Sequence, residues 1–324
     1  MSSIHVENLS KTFKLKKSGN GLKGTIKSFL SPTWDEVHAL KGISFDIEKG
    51  ERVAFIGPNG AGKSTTIKVL SGILHPSSGE VSVNGHVPWV EREDLAYKIG
   101  TVFGQRSQLW YHLPAQDTFD LLATAYQIEP EAYKKRLNHL VEAFEIGPLL
   151  DKAVRQLSLG QRMRCEIVAS FLHTPETLFL DEPTVGLDVS AKAIIRDLVH
   201  ESSVQDGTTV LLTSHDTGDI EKVCDRVIII DEGKILIDQS ISKLRSDYIC
   251  EKIVTFQTKE ETIDIGLKGV RVIETSPHKC MCSIDIKKQS VEAVIQHAMK
   301  QSSLRDITVE DPPMEEILKS IYKE

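Results

Sequence analysis

The chain has 324 residues, enough for more than one hydrophobic core, and its 40% apolar and 26% charged residues are those of an ordinary globular protein. A formal charge of −7 argues against a broad nucleic-acid-binding surface, while leaving room for local basic patches. Five scattered Cys, an odd count without zinc-finger spacing, fit a reducing cytosol and buried thiols.

Met1 to Glu7 lacks the charged start and apolar core of a signal peptide. Ile4 to Leu9 reads as a first strand, followed by Lys11-Thr12-Phe13. The segment Lys14 to His38 is rich in Lys and Gly and holds a turn at Ser31-Pro32. Within it, Leu22, Ile26, Phe29 and Leu30 share one face of a short helix beside Lys23 and Lys27. Such a helix either lies against a membrane or a membrane partner, or packs on its own domain. Leu40 to Ile47 resumes strand character, and Val53 to Ile56 is a buried strand. Gly79 to Val83 with a turn at Asn84-Gly85 predicts a hairpin, and Ile99 to Phe103 another strand. Pro114 to Leu150 reads as helical, with Phe119, Leu122, Ala123 and Tyr126 on one face and Tyr133, Leu137, Leu140, Val141 and Phe144 on another. Leu159 to His173 is a further helix.

From there strand and helix alternate. Strands at Thr177–Leu180, Thr208–Thr213 and Val227–Ile230 are separated by helices at Ala191–Glu201 and Ile220–Cys224. This alternation predicts a mostly parallel sheet with helices on its faces. Near Leu244 the character changes. Strands at Lys252–Gln257, Val270–Glu274, Cys280–Ile286 and Ile307–Val309 accompany a helix carrying Val291, Val294, Ile295 and Ala298, and a last helix after Pro312-Pro313. We read two domains, 1–243 and 244–324, the second a small α+β domain. No apolar run approaches the ~18 residues that cross a bilayer, so a membrane role implies a separate partner subunit.

The chemistry centres on Gly57, Pro58, Asn59, Gly60, Ala61, Gly62, Lys63, Ser64 and Thr65. This run fits the G-x-x-x-x-G-K-[ST] phosphate loop, between a strand and a helix as that loop requires. Glycines let backbone N–H groups turn in around a polyphosphate, and the helix N-terminus adds partial positive charge. Lys63 can reach the β- and γ-phosphates, and Ser64 can ligate Mg²⁺. Thr177 to Leu180 then ends in Asp181 and Glu182. Asp181 is placed to hold Mg²⁺, and Glu182 to polarise a water for attack on the γ-phosphate. By itself, an Asp-Glu pair at a strand end reads as a solvated turn sooner than as a metal site.

Further motifs decide. Leu157-Ser158-Leu159-Gly160-Gln161-Arg162 leads into a helix, Gly186-Leu187-Asp188 follows the carboxylates, and Ser214-His215 ends the Thr208–Thr213 strand. With Gln105, this ordered set over residues 4 to about 240 resembles the ATP-binding cassette (ABC) ATPases. The resemblance implies an α/β P-loop NTPase fold, with a mostly parallel sheet core, an antiparallel β subdomain and a helical lobe at about 92–173. It implies that Gly57–Thr65 is the Walker A loop and Asp181-Glu182 the Walker B pair. Gln105 would touch Mg²⁺ and the attacking water, and His215 would bond the γ-phosphate and position Glu182. Ser158, Gly160 and Gln161 would contact nucleotide held by the opposite subunit, with Asp188 at the subunit interface. Phe13 would stack on adenine, with Trp34 and His38 as alternatives.

Three positions depart from the family pattern. Leu159 replaces the first signature glycine, Gly104 is an extra residue before Gln105, and Phe13 replaces the commoner tyrosine. Trp110-Tyr111-His112 either meets a membrane subunit or packs in the core. Cys280 and Cys282 share a strand face without further ligands nearby and read as core rather than metal site. The resemblance implies ATP and Mg²⁺ as cofactors. It implies a second copy or a homologous ATPase subunit, a separately encoded permease, and a place at the cytoplasmic face of the membrane. The stretch Val102–Trp110, the signature and the C-terminal Pro-Met-Glu-Glu-Ile-Leu are similar to type-2, drug-exporting members. A non-transport ABC ATPase of ribosomes or DNA repair is the alternative. Such proteins usually carry two cassettes or a long coiled-coil insertion, and neither is seen here.

Overall fold

Val53, Ala54, Phe55 and Ile56 are each no more than 2% exposed, so this strand is covered on both faces. The computed structural model describes residues 2–16, 34–104, 107–214, 216–248 and 251–322. The chain divides into two units, Met1–Ser240 and Ile241–Glu324.

In the first unit, β1 (Ser2–Lys16) and β2 (Trp34–Glu48) pair antiparallel. Then come β3 (Arg52–Ile56), α1 (Lys63–Leu70), β4 (Ser78–Val83), α2 (Arg92–Ala96) and β5 (Ile99–Phe103). Two helices follow, α3 (Ala115–Ala125) and α4 (Pro130–Ala143), then α5 (Leu159–Phe171). The unit closes with β6 (Thr177–Asp181), α6 (Val189–Asp206), β7 (Thr209–Thr213), α7 (Thr217–Val223), β8 (Arg226–Asp231) and β9 (Lys234–Ser240).

Among the described residues a six-stranded sheet runs β5-β6-β7-β3-β8-β9, parallel except for β9. Parallel strands bring their carboxyl ends to one edge. Phe103, Asp181 and Thr213 are therefore register partners in a row there, beside the end of β3. The smaller antiparallel sheet, β2-β1-β4, shares a core with α1 and the parallel sheet, including Phe45 against Phe55 at 5.7 Å.

Four sequence expectations change. The turn at Asn84-Gly85 forms, with both residues at positive φ, but it closes only the bridge Val83–His86. Pro88 cannot extend a return strand, and β4 pairs with β1 instead, Val83 opposite Ile4. The segment 14–38 is shorter than read, because Lys14–Lys16 and Trp34–His38 continue the β1–β2 pairing. The helix expected at Leu22–Leu30 lies outside the described residues. Residues 114–150 split into α3 and α4, because Gln127 turns to φ 53 and Pro130 opens a new helix. Finally β9, whose exposure alternates strictly, was not anticipated.

The second unit holds α8 (Ile241–Tyr248), β10 (Glu251–Thr258), β11 (Val270–Ser276), β12 (Lys279–Asp285), α9 (Val291–Gln301), β13 (Leu304–Glu310) and α10 (Met314–Ile321). Its antiparallel sheet runs β11-β12-β10-β13. Val254, Phe256, Cys280, Cys282 and Ile284 form a core with Val294 and Ala298 of α9. Burial pushes the Cys282 thiol up to about 12, so it sits there as a small apolar group.

Candidate functional site

The loop after β3 turns back on itself before α1 begins. At Gly62, φ is +115, and a Cβ would meet Leu40 Cδ2 at 2.7 Å and Ala39 O at 2.8 Å, so only glycine fits beside β2. Pro58, Asn59 and Gly60 are exposed at the loop's crest, while Ala61 is buried and its N–H bonds Pro58 O. The first-turn N–H groups of Lys63, Ser64 and Thr65 have no partner within the helix and face an anion's natural seat. Lys63 is 5% exposed, and its Nζ donates to Gly57 O at 2.7 Å and Pro58 O at 3.1 Å. Burial draws its ammonium below the usual lysine range, while the charges of Glu182 and Asp181 oppose that shift.

Asp181 and Glu182 end β6 at the same sheet edge. Thr213 Oγ1 donates to Asp181 Oδ1 at 2.7 Å and accepts the Glu182 N–H at 3.0 Å. Glu182 has φ 56, a left-handed conformation that a glutamate adopts only at a cost. The second bond of its N–H, to Thr213 O at 3.1 Å, helps hold it there. Gly104 lies against this turn from the other side. Its N–H donates to Asp181 O at 2.9 Å, and a Cβ on it would meet Glu182 O at 2.8 Å. The extra residue before Gln105 is thus a glycine for lack of room.

Ser64, Asp181 and Glu182, with Lys68, Ile73, Phe103 and Gly104, line one cavity of about 170 Å³. A hydroxyl and a carboxylate are hard oxygen donors suited to a small divalent cation. One Thr213 bond leaves Asp181 further lone pairs for a metal-bound water. Beside them stand a buried ammonium and a helix N-terminus, which suit a phosphate chain. The residues present therefore fit a Mg²⁺–nucleotide pair.

The other expected residues are placed elsewhere. Ser158 caps α5, its Oγ accepting the Gln161 N–H at 3.2 Å while Gln161 Oε1 accepts the Ser158 N–H at 3.0 Å. Gly160 follows in the first turn, with Leu187 Cδ2 3.5 Å from where a Cβ would sit. Leu159 packs over Gly186, so the departure from the signature pattern fills space beside the 186–188 turn. Asp188 caps α6 by accepting the Ala191 N–H at 2.8 Å. Among the described residues, none of Ser158, Gly160, Gln161 and Asp188 lines the cavity. Phe13 is half-buried on β1, with Lys11 Nζ 5.2 Å from its ring centre. Trp34 is 54% exposed, and His38 Nδ1 is 2.9 Å from Thr12 Oγ1. Gln105 and His215 lie outside the described residues.

Sequence reasoning missed Thr213 and the role of Gly104. Both depend on register between strands far apart in the chain, and a threonine at a strand end carries no signal of its own. Trp110 and Tyr111 are half exposed, at 49% and 51%, rather than core.

A family profile described as ABC transporter matches residues 40–185. The chain is 31% identical to the linearmycin resistance ATP-binding protein LnrL of Bacillus subtilis (strain 168), over 86% of this chain and 91% of that protein. It is 29% identical to the daunorubicin resistance ATP-binding protein DrrA3 of Streptomyces coeruleorubidus, over 86% of this chain and 89% of that one. Among solved structures it resembles an ATP-binding subunit of an ABC transporter, with TM-score 0.64 and 27% identity over 76% of this chain and 93% of that chain. It also resembles the ATP-binding cassette MJ0796, solved as a dimer in a post-hydrolysis state with ADP and Pi, with TM-score 0.62 and 26% identity over 74% of this chain and 98% of that chain.

Proposed function

The chain belongs to the ABC transporter family of ATP-binding proteins, and from that premise we propose that it is the ATPase subunit of an exporter, paired with a second cassette and driving a separate permease. It binds ATP and hydrolyses it. In our reading Lys63 and the N–H groups of the loop hold the β- and γ-phosphates. Glu182 orients the attacking water and draws off its proton, while Thr213 holds the Asp181 carboxylate and the backbone N–H of Glu182. A Mg²⁺ held by Ser64 and, through water, by Asp181, with Gln105 beside it, would offset charge developing on the phosphates. His215 is assigned the bond to the γ-phosphate, and Phe13 the adenine.

The observation that carries the pairing is the composition of the cavity. It is lined by Ser64, Asp181 and Glu182 but by none of the described signature residues. A hydroxyl at Ser158 and the first turn of α5 form a second anion seat, which a partner cassette would bring to this nucleotide. Its O–H hydrogen is a donor distinct from the lone pair that accepts from Gln161. ATP would close such a dimer and hydrolysis would open it. Export is supported by the resistance proteins aligned over 86% of the chain. Trp110 and Tyr111, with Leu121 41% exposed, offer an apolar face to a permease at the cytoplasmic side of the membrane. Among the described residues no helix is long and apolar enough to cross a membrane, which is in keeping with a separate permease.

Two substitutions test this. Lys63→Ala abolishes ATP binding or turnover. Glu182→Gln retains ATP, stops hydrolysis and accumulates as a dimer on size exclusion in ATP. Full turnover by either variant ends the assignment. Co-expression with a candidate permease, a polytopic membrane protein that co-purifies with this chain, then tests export. Failure of Glu182→Gln to abolish drug efflux from cells carrying both would refute the coupling.

A further inference from the structure

Glu166 is a charged group on α5 that the chemistry above leaves unused. It is 3% exposed, among the buried side chains of that helix. The partners it takes are neutral. Ser107 Oγ donates to Oε1, and the Gln108 N–H donates to Oε1 at 3.1 Å and Oε2 at 2.9 Å. The Leu109 N–H adds to this set. Burial pushes the carboxyl above the ordinary glutamate range, and these bonds draw it back.

The segment it grips is fastened at other points too. Gln108 Nε2 donates to Thr101 O on β5, and the Trp110 N–H donates to the buried Thr118 Oγ1 of α3 at 3.3 Å. Just beyond it, Trp110 and Tyr111 face outward. On the other side of residues 105–106, Gly104 is bonded to the Asp181 carbonyl. Along α5, the start of the helix at Leu159 is about 10 Å from Glu166, two turns of a rigid rod. A carboxylate suits this place because its two oxygens can take several N–H and O–H donors from an irregular loop at once.

We propose that Glu166 is a positioning residue for ATP turnover, locking Ser107–Leu109 to the signature helix so that the Trp110–Tyr111 face and the start of α5 move as one body. This rests on the assignment of Ser158–Gln161 to a partner's nucleotide. Loosening the lock leaves ATP binding at the phosphate loop intact and impairs delivery of the signature.

The test is steady-state ATPase kinetics of the full chain with Mg²⁺-ATP, alongside thermal unfolding. Glu166→Ala lowers kcat about ten-fold while KM for ATP stays within about two-fold. Glu166→Gln restores kcat to within about three-fold, because its amide can still accept from Gln108 and donate to Ser107 Oγ. A purely structural role would lower the melting temperature of both variants without this split. Should Glu166→Ala not fold, Ser107→Ala carries the test, with kcat reduced about three-fold at unchanged KM. Wild-type kcat in the variant tested, a loss through KM alone, or equal loss in Glu166→Ala and Glu166→Gln overturns the proposal. Glu182→Gln in the same assay separates the two readings. If it turns over, the functional assignment falls; if it is silent while Glu166→Ala matches wild type, only the lock falls.

Discussion

Gly104 and His173 show how much a single side chain can decide. A methyl group at 104 would sit 2.8 Å from Glu182 O and 3.0 Å from Asp181 O, both backbone atoms that cannot swing away. Gly104→Ala therefore overpacks the turn that aims Glu182, costing about 1–3 kcal/mol. It also lowers kcat by on the order of ten-fold, with ATP affinity nearly kept, since the phosphate loop is untouched. Urea unfolding and ATP titration check the two halves separately, and a wild-type kcat would show that the close approach is relieved elsewhere. His173 stacks on Tyr126 with ring centres 3.9 Å apart, and its Nε2 is 3.0 Å from Ile99 O. Burial pushes its imidazole down to about 4. Unfolded, the ring titrates near 6.5, so between 6.5 and about 4 the unfolded chain takes up a proton that the folded chain refuses. Its contribution to stability is complete above 6.5 and is lost as pH falls toward 4, roughly 3 kcal/mol at most. His173→Phe keeps the stacking and removes the titration. Its stability difference between pH 7.5 and pH 5 should be smaller than that of wild type, and equal differences would dismiss the ring as a contributor.

At the scale of elements, α6 and α7 brace the turn that follows Glu182. Arg196 of α6 donates through Nε to Asp219 Oδ1 at 2.6 Å, and Asp219 of α7 is 1% exposed. Asp219 also accepts from Thr184, two residues after Glu182, and from Ser214 Oγ at 3.3 Å. Nearby, Lys192 pairs with Asp216, with side chains 23% and 35% exposed. The two ion pairs look alike in sequence and differ in burial. Arg196→Ala strands a buried carboxylate and costs about 3 kcal/mol or more. Lys192→Ala removes a pair that water and salt already screen, and costs less than about 1 kcal/mol. Urea midpoints compare them directly, and equal shifts would refute the burial argument. The same contrast marks what the sequence could carry. The strand–loop–helix around Lys63, the helix opening at Ser158 and the parallel alternation are local patterns, and each was readable from its own neighbourhood. Thr213 on Asp181, Gly104 under Glu182 and Glu166 on Ser107 join residues 32, 78 and 59 positions apart by subtraction of their numbers. No local period announces such contacts. The capping bonds of Ser158 and Asp188 are local as well, each residue standing just before the helix it caps.

At the scale of the whole molecule, a shared site makes a claim about stoichiometry. If each nucleotide lies between the phosphate loop of one chain and the signature of another, a chain defective in one half can lend its other half. Lys63→Ala removes the loop and leaves Ser158–Gln161 intact. Gly160→Asp does the reverse. A side chain at 160 has room, with Leu187 at an ordinary 3.5 Å contact distance, so the fold tolerates it while the added carboxylate repels phosphate. In either variant alone, every site that a pair of chains could build is broken. Mixed in equal amounts with free exchange, half the dimers are mixed, and each mixed dimer has one sound site and one doubly broken one. Independent sites then restore about a quarter of wild-type ATPase activity, by the symmetry of a two-fold dimer. Exchange is checked by tagging one variant and recovering the other with it. Activity no greater than the sum of the separate variants, with mixed dimers recovered, would mean that the sites are not shared or that one sound site cannot turn over alone. Recovery near the quarter level in the Glu166→Ala background, scaled only by the lower kcat, would show that the lock tunes delivery of the signature without deciding which chain delivers it.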